Sequence, residues 1–240
     1  MNRIHVFAVR IFLLAALAVC SLGAWADWPQ EGEIRYDVMR GENGFKLGEA
    51  VHRWEQDGAQ YRMQTEVETT GLAGALYSFR YVQTSEGQIV AGALQPTLFR
   101  VEQSGRETEQ AHFNWEAQEV LIERSRGRKE THEIESGDHD VLSVWHLVAT
   151  EGVEAVRDRS LVTNRRVSPT EMAVAERERL RLPVGEVSTV RVSAASTSGS
   201  LKIDLWLSED HDWLPVRILM EDDKGKVLDQ QAVRVTRGNP

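Results

Sequence analysis

Two Asp-His-Asp tripeptides, Asp138-His139-Asp140 and Asp210-His211-Asp212, are the residues in this 240-residue chain best equipped for chemistry, with His132 and His146 near the first. Imidazole and carboxylate together can hold zinc, which needs three or four ligands converging at about 2.0–2.3 Å. On a helix, His139 and His146 would lie two turns apart, roughly 10 Å along the axis, so one ion does not bridge them. His211 falls in a hairpin turn, where aspartate and histidine are ordinary solvent-facing residues. Nucleophilic catalysis lacks its parts: there is no Gly-x-Ser-x-Gly elbow, and the single cysteine is Cys20. Gly71 to Gly74 is glycine-rich but lacks the lysine of a phosphate loop. Glu176 and Glu178 share a strand face roughly 7 Å apart, a spacing usable in glycoside hydrolysis. They alternate with Arg177 and Arg179, which reads as a salt-bridged surface. No catalytic residue, metal or cofactor is assigned, and a non-enzymatic protein is expected.

Charge removes another class. With 28 basic and 37 acidic side chains, a net charge of −9, the chain has no general attraction for nucleic acid phosphates. Arg3 and Arg10, the apolar run Ile11 to Val19 and the small residues of Ala24-Trp25-Ala26 read as an export signal cleaved after Ala26. The run is short for a membrane-spanning helix, which needs roughly 20 apolar residues. Leu17-Ala18-Val19-Cys20 resembles a lipidation box, with bulky Val19 against it. Cleavage after Ala26 removes the only thiol and makes the expected address the periplasm.

The remaining elements alternate with a period of two. Ile34, Tyr36 and Val38 share a face, Gly41 to Gly44 turns the chain, and Asp57-Gly58 is a hairpin signal. Tyr61, Met63, Thr65, Val67 and Thr69 alternate with polar residues in a half-buried strand. Gly71 to Leu76 is either a short helical turn or a flap. Further strands resume near Phe79, Gln88, Thr97, Glu107, Glu119 and Arg128, with Ser85-Glu86-Gly87, Ser104-Gly105 and Arg126-Gly127 between them. Val141, Val144, Trp145 and Val148 then change the period to that of a helix, capped by Asp138 or Asp140 and ended by Gly152. Strands return from Ser160 to Arg181 and from Val187 to Ala195. Leu201 to Leu207 and Leu214 to Ile218 flank a polar turn, with Pro215 where a missing N–H does least harm. The expectation is a mainly β fold: residues 27–240 as one domain, its two strand-rich halves joined by a helix over 138–150. A meander this long must curl, giving a strongly curved antiparallel sheet or incomplete barrel with the helix packed against it.

Gly32 to Val38, Leu47-Gly48-Glu49-Ala50, Asp140-Val141-Leu142-Ser143, Leu182-Pro183-Val184-Gly185 and Trp206 to Ile218 together resemble a proteobacterial envelope family of unknown function (DUF3108-like). That resemblance, over nearly all of 32–235, implies an exported β-rich protein and no reaction. The hairpin of Trp206, Asp210 to Asp212, Leu214-Pro215 and Val216-Arg217-Ile218 is also similar to the periplasmic lipoprotein-carrier (LolA/LolB-like) fold. That likeness implies an unclosed barrel with a helical lid. Binding of a lipid or other hydrophobic molecule is therefore the expected function. Tyr61, Met63, Val67, Leu205, Leu207 and Ile218 are the candidate cavity walls, being apolar on alternating runs. The aromatic set (Tyr36, Trp54, Tyr61, Trp115, Trp145, Trp206 and Trp213) is expected mostly in the core. The alternative is an envelope scaffold that docks another protein through its sheet.

Overall fold

Strands form where apolar side chains recur at every second position, and the computed structural model shows how those faces are joined. It describes residues 28–152, 155, 159–197, 201–222 and 224–238. The expected export signal, with Cys20 and the cleavage site after Ala26, lies outside them, as do Ser198 and Gly199.

The first half runs β1 (Glu31–Arg40), β2 (Phe45–Gln56), β3 (Gln60–Thr69), the short helix α1 (Gly71–Leu76), β4 (Arg80–Val90), β5 (Ala93–Gln103), β6 (Glu109–Asn114), β7 (Glu119–Arg124) and β8 (Arg128–Glu133). After the two-residue strand β9 (His139–Asp140), a 3-10 turn (Ser143–His146) leads into α2 (Leu147–Glu151). The second half is β10 (Arg159–Val162), β11 (Val167–Leu182), β12 (Gly185–Ser196), β13 (Leu201–Ser208), β14 (Leu214–Asp222) and β15 (Val227–Arg237).

Among the described residues 15 strands belong to one curved sheet, in the order β8-β7-β6-β5-β4-β3-β2-β1-β15-β14-β13-β12-β11-β10-β9, which does not close into a barrel. Its centre is the antiparallel pair β1 and β15, and its edges are β8 and β9. β9 pairs in parallel with β10, and every other pairing is antiparallel. Antiparallel order sends alternate turns to opposite rims. The turns at 41–44, 70–79, 104–108, 125–127 and 163–166 gather at one rim, and those at 57–59, 91–92, 115–118 and 209–213 at the other.

The inward face carries the predicted alternation: Ile34, Tyr36 and Val38, then Ala50, His52 and Trp54, then Tyr61, Met63 and Thr65, all buried. Close strand contact explains Gly48, where an added Cβ would stand 2.0 Å from the Glu68 carbonyl oxygen. One predicted turn is absent. β4 runs straight through Ser85-Glu86-Gly87 with a bulge at Glu86/Gly87, and turns instead at Ala91 and Gly92. Gly87 serves the packing, since a Cβ there would lie 2.7 Å from the Tyr61 ring and 2.3 Å from the Gln95 carbonyl.

The helix expected over 138–150 is shorter than its apolar period. His139 and Asp140 are extended, paired with Leu161 and Val162, and the Val141 N–H donates to the Val162 carbonyl at 3.0 Å. Regular α-helix begins only at Leu147 and ends at Gly152, as expected, where φ is +85°. The Asp140 carboxylate does cap this segment: Oδ1 accepts the Leu142 and Ser143 N–H groups, each at 2.8 Å. The segment is a plug inside the curved sheet, with Leu142 to Ala149 buried throughout.

Candidate functional site

The plug is held by a buried polar network whose direction follows from one donor. The Trp28 indole can only donate, and its Nε1–H reaches His146 Nδ1 at 3.0 Å. His146 Nδ1 is therefore the acceptor, and a neutral His146 carries its proton on Nε2, 2.7 Å from His52 Nε2. His52 must then accept there and donate from Nδ1 to Thr65 Oγ1 at 2.8 Å. Burial holds His146 down to about 3. Burial, with His146 as neighbour, holds His52 well below the usual histidine range.

A second tie joins the plug to β4, where Ser85 Oγ donates to Asp140 Oδ2 at 2.6 Å and lies 3.3 Å from the Tyr61 hydroxyl. Burial raises the Asp140 carboxyl above its ordinary range, against the pull of the Ser85, Ser143 and Leu142 hydrogen bonds. Ser143 Oγ lies 3.3 Å from His139 Nδ1, and His139 Nε2 lies 3.3 Å from Glu151 Oε1. This line of groups has the order of an acyl-transfer triad. Ser143 and His139 are wholly buried, however, and the Ser143 hydroxyl donates to the Asp140 carbonyl, so its role is to fix the plug. Among the described residues no group of three or more His, Cys, Asp or Glu is placed to hold a metal ion.

The plug leaves open space at each rim. At the rim of the 57–59 turn, a depression of about 1180 Å³ is walled by turn backbone together with Trp28, Gln56, Thr150, Glu151 and Arg237. At the opposite rim a cavity of about 440 Å³ lies on the seam where β4 to β6 face β10 to β13. Its base is aliphatic and continuous with the core, formed by Val101, Leu161, Ala194 and Ile203, with Tyr81 at the side. Its mouth is polar, with Arg106, Arg165 and Arg166 facing Glu107 and Glu109. Glu109 clasps the seam: it accepts hydrogen bonds from the Asn164 side chain and the Ser125 N–H, and stands 3.7 Å from Arg165 Nε.

The six sequence-derived wall positions stand deeper. Tyr61 and Met63 are buried under the plug, Leu205, Leu207 and Ile218 are buried on the second half-sheet, and Val67 is half-buried. None lines either space, although Ile203 shares its strand face with Leu205 and Leu207 and does reach the seam cavity. The expected salt-bridged surface around Glu176 is present. Arg177 pairs with Glu209 and Arg179 with Glu186, while Glu178 accepts the Trp206 indole N–H at 2.6 Å. Sequence reasoning missed the His52–His146 contact, which joins residues far apart in the chain. Its signal was a histidine on the inward register of a strand, between Ala50 and Trp54.

Residues 33–231 match the family model described as "Protein of unknown function (DUF3108)". The chain belongs to the DUF3108 family. No curated protein matches it. Among solved structures it is similar to a β-barrel-like protein of the DUF1849 domain of unknown function from Brucella abortus. That match has 12% identity and a TM-score of 0.59, covering 88% of this chain and 99% of that one. A protein from Parabacteroides distasonis described as a proposed lipoprotein also matches, at 10% identity and a TM-score of 0.36, with 87% and 97% covered. The Brucella protein shares the fold of the DUF3108 chain, a β-rich sheet wrapped towards a barrel.

Proposed function

We propose that this DUF3108 protein is exported to the periplasm and binds a lipid or other hydrophobic ligand without transforming it. The observation that carries this reading is the seam cavity, whose base of Val101, Leu161, Ala194 and Ile203 is apolar and whose mouth is open at one rim. Its volume of about 440 Å³ lies near the lower end of the roughly 300–1,000 Å³ typical of ligand pockets. Each methylene buried there contributes about 0.8 kcal/mol before the costs of association. A ligand longer than the cavity would continue along the face of Ile203 towards Leu205, Leu207 and Ile218, and then towards Tyr61, Met63 and Val67, by displacing the plug.

Native mass spectrometry of protein purified from the periplasm, with uptake of an apolar fluorescent dye, tests the reading. The expected result is a retained apolar ligand or dye uptake that Ala194→Phe abolishes. Absence of both from well-folded protein refutes it. A second reading, an envelope scaffold, draws support from Leu72 and Leu76 on α1, exposed by 87% and 89%, beside exposed Tyr77. It expects a stoichiometric partner that co-purifies with the protein and is lost from Leu72→Ser/Leu76→Ser.

A further inference from the structure

A second recess, of about 390 Å³, adjoins the seam cavity and shares Arg106, Glu107, Glu109 and Arg165 with it. Arg124, Arg126 and Arg128 complete its walls. Arg124, Arg126 and Arg128 stand at alternate positions of one turn, and the fold adds Arg106 and Arg165 from two other turns at the same rim. In a chain with 37 acidic and 28 basic side chains, cations ordinarily find carboxylates. Yet among the described residues, Arg106, Arg126, Arg128 and Arg166 make no ion pair, while Arg124 stands 3.6 Å from Glu130 through one terminal nitrogen and keeps its buried Nε without a hydrogen-bond partner.

The two carboxylates present do not neutralise the group. Glu107 accepts the Arg126 backbone N–H at 2.7 Å, and Glu109 is committed to Ser125, Asn164 and Arg165 across the seam. Burial works to raise the Glu109 carboxyl, but these partners outweigh it and hold it below the usual range. Guanidinium groups in excess of the carboxylates beside them, with Arg106, Arg126 and Arg128 left unpaired, form a fork-shaped donor array, and phosphate oxygens match it in geometry and charge.

We propose that the apolar cavity and the arginine recess form one bipartite site for a single-chain lipid bearing a phosphate. The acyl chain lies against Val101, Leu161, Ala194 and Ile203, and the phosphate is held by Arg106 and Arg126 with Arg128 and Arg165 beside them. This rests on the cavity reading above and adds the chemistry of the head group. The small cavity selects one chain rather than two, and the recess selects a head with a free anionic phosphate.

Titration calorimetry with three probes tests it: oleoyl lysophosphatidic acid, oleyl alcohol and inorganic phosphate. The lysophosphatidic acid is expected to bind at least tenfold tighter than either of the others, with affinity falling as salt rises. Arg126→Gln/Arg128→Gln, at two exposed positions that line the recess and not the apolar cavity, is expected to remove that tenfold advantage while leaving oleyl alcohol binding and the melting temperature unchanged. Ala194→Phe should weaken both lipids. Equal binding of alcohol and lysophosphatidic acid, or indifference to the double substitution, overturns the head-group assignment and leaves the cavity reading standing. Inorganic phosphate binding as tightly as the lipid overturns the bipartite site in favour of a free phosphate site. Binding of neither lipid overturns both readings.

Discussion

Replacing His146 with leucine should change how stability depends on pH, in a direction fixed by the buried chain from Trp28 to Thr65. In the folded protein His146 is held from 6.5 down to about 3 by burial, and its Nδ1 is obliged to accept from Trp28. An unfolded chain protonates this histidine below about pH 6.5 while the folded protein does not. Stability is therefore fully present above that value and declines as pH falls towards 3. The slope is about 1.4 kcal/mol per pH unit for one proton, so about 3 kcal/mol is lost by roughly pH 4.5, two units below the unfolded value. His52, shifted the same way, adds to the loss. At neutral pH, His146→Leu strands the Trp28 N–H and one nitrogen of His52, which costs about 1–3 kcal/mol for each buried group left unpartnered. Urea unfolding followed by tryptophan fluorescence, in steps from about pH 7.5 to 4.5, reads both effects. The variant should start less stable and lose stability with a slope shallower by about one proton. Asp57, Glu109, Glu123 and Asp222, whose carboxyls are held low, cancel in the difference. Parallel curves for the two proteins would refute the assignment of His146 as the buried neutral partner.

Two further substitutions test the packing. Arg217 is 7% exposed and meets Asp229 through two hydrogen bonds of 2.9 Å, with its guanidinium 4.6 Å from the centroid of the Trp206 ring. Asp229→Ala leaves that charge without its partner and should cost about 3–5 kcal/mol in chemical denaturation; a loss below about 1 kcal/mol would show that solvent or Glu42 replaces the carboxylate. Gly48→Ala puts a Cβ 2.0 Å from the Glu68 carbonyl oxygen and forces β2 and β3 apart, with an expected cost of about 1–3 kcal/mol. An unchanged melting temperature would show that the ladder yields there without cost.

Much of the sheet was legible because half-buried strands write their alternation into the sequence, as at Tyr61, Met63 and Thr65 or at Ile203, Leu205 and Leu207. Turns with strong local chemistry were equally readable: Asp57-Gly58 turns the chain, and so does the polar stretch before Leu214, where Asp212 and Trp213 take positive φ. Misreadings arose where tertiary packing decided the backbone. Ser85-Glu86-Gly87 has turn composition, but the Tyr61 ring needs the space above Gly87. Val141, Val144, Trp145 and Val148 have helical spacing, yet strand pairing with β10 delays the helix to Leu147. The site was least legible of all. Arg106, Arg126 and Arg165 belong to separate turns, and only the alternation of turns between two rims brings them together. The candidate wall residues were chosen for apolarity, which identifies the interior but not the part of it left unfilled by the plug.

The central seam of the sheet carries a consequence for assembly. Because Glu31–Arg40 finds one of its two neighbours only in Val227–Arg237, an early segment must wait for a late one before the interior can be sealed. Until then the two ribbons are tied through the plug, and each keeps an open flank of unpaired amides. Loss of that late strand would therefore leave two incomplete pieces prone to stick to one another, whereas trimming at Arg128–Glu133, an outer margin of the sheet, would cost only the margin itself.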